Sequence, residues 1–133
     1  MAEVLLLTDD QMVGTMLREM LDQEGHRVVA VEEGEHALIQ LRATLHPVVA
    51  ILFDVPLGPT LAELLTTLHA ERQELAPHAY IAVITTSRSL NLAEDIPPVM
   101  RDLDVSLLIP PYDLNRLLAE VQRLTERFPE RWR

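Results

Sequence analysis

Four residues of this chain could do chemistry together, although they are spread over three stretches. Val48 to Phe53, V-V-A-I-L-F, runs straight into Asp54 and a turn, V-P-L-G. Val4 to Leu7 is followed by Thr8, Asp9 and Asp10, and Tyr80 to Ile84 by Thr85. Each candidate thus stands at the carboxyl end of an apolar run. If the runs are parallel strands of one sheet, all four share the rim where open α/β sheets bind ligands. Three carboxylates within a few ångströms of one another repel unless a proton or a cation sits among them. An all-oxygen donor set suits Mg²⁺, which keeps several waters and accepts a phosphate oxygen. Asp54 is then a candidate nucleophile toward a phosphoryl group, and the Thr85 hydroxyl a hydrogen-bond partner for a phosphoryl oxygen. Each residue also has a plain structural reading. Aspartate starts turns, acidic side chains favour helix N-termini, and threonine sits well at strand ends. Convergence on one predicted rim is what raises the functional reading.

Positioning these groups takes five strands and the helices between them. Apolar runs at Val4–Leu7, Val28–Val31, Val48–Phe53, Tyr80–Ile84 and Val105–Ile109 predict buried strands. Met12, Met16, Leu17, Met20 and Leu21 recur at helical spacing, with Gly25 as the stop, and the Met stripe is read as core. Ala37, Leu38 and Leu41 with Leu45 mark one face of a second helix, ended by Pro47. Leu61, Leu64, Leu65 and Leu68 mark a third, beginning near Thr60 and followed by a polar loop from Ala70 to His78. Between Arg88 and Asp104, Pro97-Pro98 forbids one regular helix and predicts a short or displaced one on either side. Asp113 is the predicted cap of a last helix with the stripe Leu114, Leu117, Leu118, Val121 and Leu124. Alternating strands and helices predict an α/β fold, a doubly wound five-stranded parallel sheet with helices on both faces. No repeat or linker divides the chain, so the reading is one domain, residues 1–125, with a loose tail at 126–133.

Composition narrows the partners. With 48% apolar residues the chain is expected to fold, and with no cysteine it has neither disulfides nor thiolate metal sites nor a cysteine nucleophile. His26, His36, His46, His69 and His78 fall at no ligand spacing, so no zinc site is predicted. A formal charge of -10 disfavours nucleic acid and anionic membrane as partners and favours cations or a basic protein surface. Val4–Leu7 is far too short for a membrane span or signal peptide, which predicts a soluble, cytoplasmic protein.

Over residues 3 to 125 the sequence resembles the receiver domains of two-component response regulators. L-L-L-T-D-D matches the acidic pair closing the first strand, I-L-F-D-V-P-L-G-P the phosphoacceptor strand, and I-A-V-I-T-T-S the strand ending in threonine or serine. The resemblance implies strand order 2-1-3-4-5, phosphorylation at Asp54 by a histidine kinase or phosphotransfer protein, and no enzymatic turnover. It also implies Mg²⁺ held by Asp9, Asp10, Asp54 and the backbone carbonyl of Pro56. Departures accompany the matches. Pro110 stands where the family has the lysine of its Lys-Pro-aromatic motif, Leu107 replaces the switch aromatic, and Asp104-Val105 replaces a small-residue pair. Arg88 is a candidate substitute for the missing charge. The alternative reading is a pseudo-receiver, a protein-interaction or dimerisation module that works without phosphorylation. The resemblance places a dimer or partner contact on the face made by the interrupted segment, the fifth strand and the last helix. F-D-V-P-L-G-P-T-L also faintly resembles the F-D-x-D-G-T motif of haloacid-dehalogenase-like phosphatases, but Pro56 stands where the acid-base aspartate is needed.

Overall fold

A strand covered by helices on both faces and by neighbours on both edges must be apolar throughout, and Val49–Phe53 is buried at every position. It is strand β3, at the centre of a five-stranded sheet with the order β2-β1-β3-β4-β5. The computed structural model describes residues 3–53, 61–83, 98–108 and 113–128. In chain order these form β1 (Glu3–Leu7), α1 (Gln11–Gln23), β2 (Arg27–Val31), α2 (Gly34–Ala43), β3, α3 (Leu61–Ala70), β4 (Ala79–Val83), α4 (Pro98–Asp102), β5 (Ser106–Leu108) and α5 (Leu114–Glu126). All four strand pairings are parallel, and the register sets Leu7 beside Val31 and Leu52, and Phe53 beside Val83.

Alternating strand residues feed two cores. Leu5, Leu7, Ala50, Leu52 and Ala82 pack with α2, α3 and α4, through Leu41, Leu65, Leu68 and Met100. Val4, Leu6, Ile51, Ile81 and Val83 pack with α1 and α5, through Leu17, Leu21, Leu117 and Val121. The predicted doubly wound architecture is what forms. In α3 the stripe Leu61, Leu64, Leu65 and Leu68 is buried as expected; each such leucine contributes about 2 kcal/mol of transfer free energy.

Two helices end in the same way. Gly25 adopts φ 86, its N–H donates to Asp22 O (3.0 Å), and the N–H of His26 donates to Leu21 O (3.0 Å). After α4, Asp104 takes φ 54, its N–H donates to Arg101 O (3.1 Å), and that of Val105 to Met100 O (2.8 Å). Both are Schellman closures, which satisfy two of the orphan carbonyls of the last turn.

The structure corrects three details of the sequence reading. The Met stripe of α1 is not core: Met12 is 81% exposed and Met16 39%, while Val13, Leu17 and Leu21 face the sheet. Leu45 lies beyond the end of α2 and is 83% exposed. Phe128, expected in a loose tail, is buried beside α5. Of the two helices expected around Pro97-Pro98, the described residues contain α4, which Pro98 opens, a position where the missing N–H of proline is not needed. Residues 88–97 lie outside the described residues. No helix among the described residues is long and apolar enough to cross a membrane.

Candidate functional site

The candidate site is built outward from the end of β1. Thr8 continues the strand, its N–H donating to Val31 O (3.2 Å), and its Oγ1 then accepts the N–H of Asp10 (3.2 Å). That turn delivers Asp10 to the N-cap of α1 in an extended conformation, φ -86 and ψ 105. Asp10 Oδ1 accepts two backbone donors of the first turn, Met12 N–H at 3.0 Å and Val13 N–H at 3.1 Å. These are N–H groups that the helix itself leaves without partners. Gly14 lies over Thr8, where a Cβ would stand 3.5 Å from Thr8 Cγ2, so the helix begins in contact with the strand end that carries the acidic pair.

Asp9 and Asp10 are both exposed, at the carboxyl end of β1. The structural reading of Asp10 as a helix cap is therefore correct, and it leaves Oδ2 uncommitted by the cap. Asp9 makes no hydrogen bond with the described residues. Asp54, Pro56, Thr85, Arg88 and Pro110 lie outside the described residues. The described strands stop at Phe53, Val83 and Leu108, which are lateral neighbours in one register. Among the described residues no group of three acidic or histidine side chains could hold a metal ion. Leu107, at the position of the switch aromatic, is half-buried against the core under α2, α3 and α4.

Sequence reasoning missed a polar centre at the opposite, amino-terminal rim. The His78 ring ties two elements together: Nδ1 accepts the N–H of Val48 (3.1 Å) at the entry to β3, and Nε2–H donates to Leu41 O (3.2 Å) in α2. Burial lowers the pKa of His78 and outweighs the bond to Leu41, which acts the other way. His46 and Glu3, paired with each other beside it, exert opposed charge effects. A histidine just before a strand gives no hint in sequence that its ring reaches back to a helix more than thirty residues earlier.

No protein-family model and no curated protein sequence matches the chain. Solved structures do. The receiver domain of a Francisella response regulator superposes with a TM-score of 0.74 at 18% identity, over 96% of this chain and 98% of that one. The fold is that of response regulator receiver domains. A CheY-like receiver domain protein from Methanospirillum hungatei also reaches 0.74, at 14% identity over 93% and 94% of the two chains. The response regulator TrrA from Thermotoga maritima, in complex with Mg²⁺-BeF, reaches 0.72 at 18% identity over 93% and 99%. TrrA in complex with the histidine kinase ThkA reaches 0.70 at 19% identity over 93% and 98%. The order β2-β1-β3-β4-β5 and the helices on both faces are the receiver architecture expected from the sequence.

Proposed function

We propose that the chain is an atypical single-domain receiver in two-component phosphorelay signalling, accepting a phosphoryl group on Asp54 from a histidine kinase or phosphotransfer protein. The observation that carries this reading is the end of β1, where Thr8 and the cap of α1 fix Asp10, with Asp9 exposed beside it, on the rim of a receiver-type sheet. Asp54 follows β3, the strand next to β1, in the sequence.

The donors are hard oxygens and fit Mg²⁺: Asp9, the uncapped oxygen of Asp10, Asp54 and the carbonyl of Pro56 would hold it. The bound ion supplies positive charge against the phosphoryl oxygens. In the transfer an Asp54 carboxylate oxygen bonds to phosphorus as the bond from phosphorus to the donor imidazole breaks, and the imidazole nitrogen keeps that electron pair. The Thr85 hydroxyl then donates to a phosphoryl oxygen. Pro110 offers neither charge nor donor, and losing one charge-assisted contact of this kind costs about 2 to 4 kcal/mol of transition-state stabilisation. Phosphorylation is therefore slow. Incubation with Mg²⁺ and acetyl phosphate should add the mass of one phosphoryl group, lost in Asp54→Ala. No gain from acetyl phosphate or from any candidate kinase overturns the proposal.

A second reading, a phosphorylation-independent interaction module, draws support from the basic residues: all 11 are arginine. No lysine elsewhere in the chain can stand in for the one that Pro110 replaces. If the Asp54→Ala protein keeps its cellular output, this second reading is the correct one.

A further inference from the structure

The outer edge of β2 has a charge pattern that complements itself under a two-fold rotation, and we propose that it joins a second copy of this chain by antiparallel strand pairing. β2 is a terminal strand of the sheet, with β1 on one side and no strand among the described residues on the other. Val31 O faces β1, since it accepts the N–H of Thr8. Because peptide groups alternate in direction along a strand, the N–H and C=O of Val28 and Ala30 point outward. An exposed strand edge of this kind is a template for further pairing.

A two-fold axis perpendicular to the sheet at Val29 sets Val28 of one copy opposite Ala30 of the other. Those are the residues with outward peptide groups, so each reciprocal pair exchanges both of its hydrogen bonds, as an antiparallel ladder requires. The same axis sets Arg27 opposite Val31, with Glu33 one diagonal step beyond on the same face. On the other face Glu32 of one copy comes opposite the buried His26 of the other, beside a groove lined by Arg18, Glu19, Asp22 and Arg27. Arg27, Glu32 and Glu33 are all exposed. The amino end of the edge is mixed in charge, with Arg18 and Arg27 beside Glu19 and Asp22, and the unlike charges that antiparallel self-pairing brings together are Arg27 of one copy and Glu33 of the other, once at each end. Ile39, 55% exposed, lines the groove between β2 and α2 with Val31 and Glu33, so the two Ile39 side chains cover the joined strands. The interface is isologous and closes at two copies. It is distinct from the face of α4, β5 and α5, and it does not depend on phosphorylation of Asp54.

The test is the association state of the full chain by sedimentation equilibrium. The unmodified protein is expected to dimerise. Arg27→Glu and Glu33→Arg, each alone, should raise the dissociation constant roughly tenfold. The double variant Arg27→Glu/Glu33→Arg should restore it. Circular dichroism and thermal melting of each variant establish that the fold is retained. A protein that stays monomeric throughout overturns the proposal. So does a dimer that ignores both reversals but is lost in Arg127→Glu, on the α5 face.

Discussion

Asp10 holds two positions at once, and substitutions separate them. As the N-cap of α1 it accepts hydrogen bonds from Met12 and Val13, which asparagine can also do. As a proposed Mg²⁺ ligand it needs its charge. Asp10→Asn should therefore leave the urea midpoint nearly unchanged while sharply reducing Mg²⁺-dependent labelling by acetyl phosphate. Asp10→Ala should lose labelling and, in addition, about 1 kcal/mol of stability. A large loss of stability in Asp10→Asn would show that the cap is not what this carboxylate contributes to the fold. The sequence offered both roles, a helix N-terminus and a metal ligand; they call for the same residue in the same place, so the types alone could not divide them.

At the scale of the element, helix ends were legible and helix faces less so. Gly25 and Asp113 were readable because capping chemistry is local, and Asp113 does cap α5, its Oδ1 accepting Arg116 N–H at 2.8 Å. The face of α1 was legible only in part: Leu17 and Leu21 of the predicted stripe are buried, whereas Met12 and Met16 are exposed. Met12, Met16 and Met20 fit a helical stripe as well as Val13, Leu17 and Leu21 do, and the choice is made by the turn through Thr8, which points the second stripe at the sheet. Phe128 was misread for a related reason, since the path of the chain after α5 returns it to the core. Gly25→Ala isolates the local term. A Cβ there meets nothing within 4 Å, so the cost is that of the left-handed backbone alone, about 1 kcal/mol, read as a lower urea midpoint with an unchanged slope. Leu117→Ala, in a side chain 1% exposed between α5 and the sheet, should cost about 2 to 5 kcal/mol by the same measurement.

For the molecule as a whole, the alternation of five apolar runs with helical stripes made the doubly wound parallel sheet legible, and the strand order followed from the resemblance to receiver domains. The long-range bonds of His78 were not legible, and the burial that accompanies them bears on acid stability. Burial holds the folded pKa of His78 below its ordinary value, and burial moves His26 the same way. The unfolded chain therefore takes up these protons first. Their contribution is intact above about pH 6.5 and is lost as pH falls toward the lowered folded values, at up to about 1.4 kcal/mol per unit for each group. Glu71 and Glu120, held below the usual carboxylate range by hydrogen bonds from Arg42 and Arg123, lose theirs only at more acidic pH. Urea unfolding at about pH 7.5 and about pH 5.5 should show the decline, and His78→Gln should flatten it while lowering stability at the upper value. An equally steep decline in His78→Gln would assign the effect elsewhere. The central place of β3 bears on motion as well. With strands along both edges and helices over both faces, its amide protons can exchange with deuterium only when the whole sheet opens, whereas those on the outer margins of β2 and β5 escape by local fraying. Asp54 comes directly after that strand in the sequence, so the proposed transfer would join a phosphoryl group to the chain next to the stretch expected to exchange most slowly.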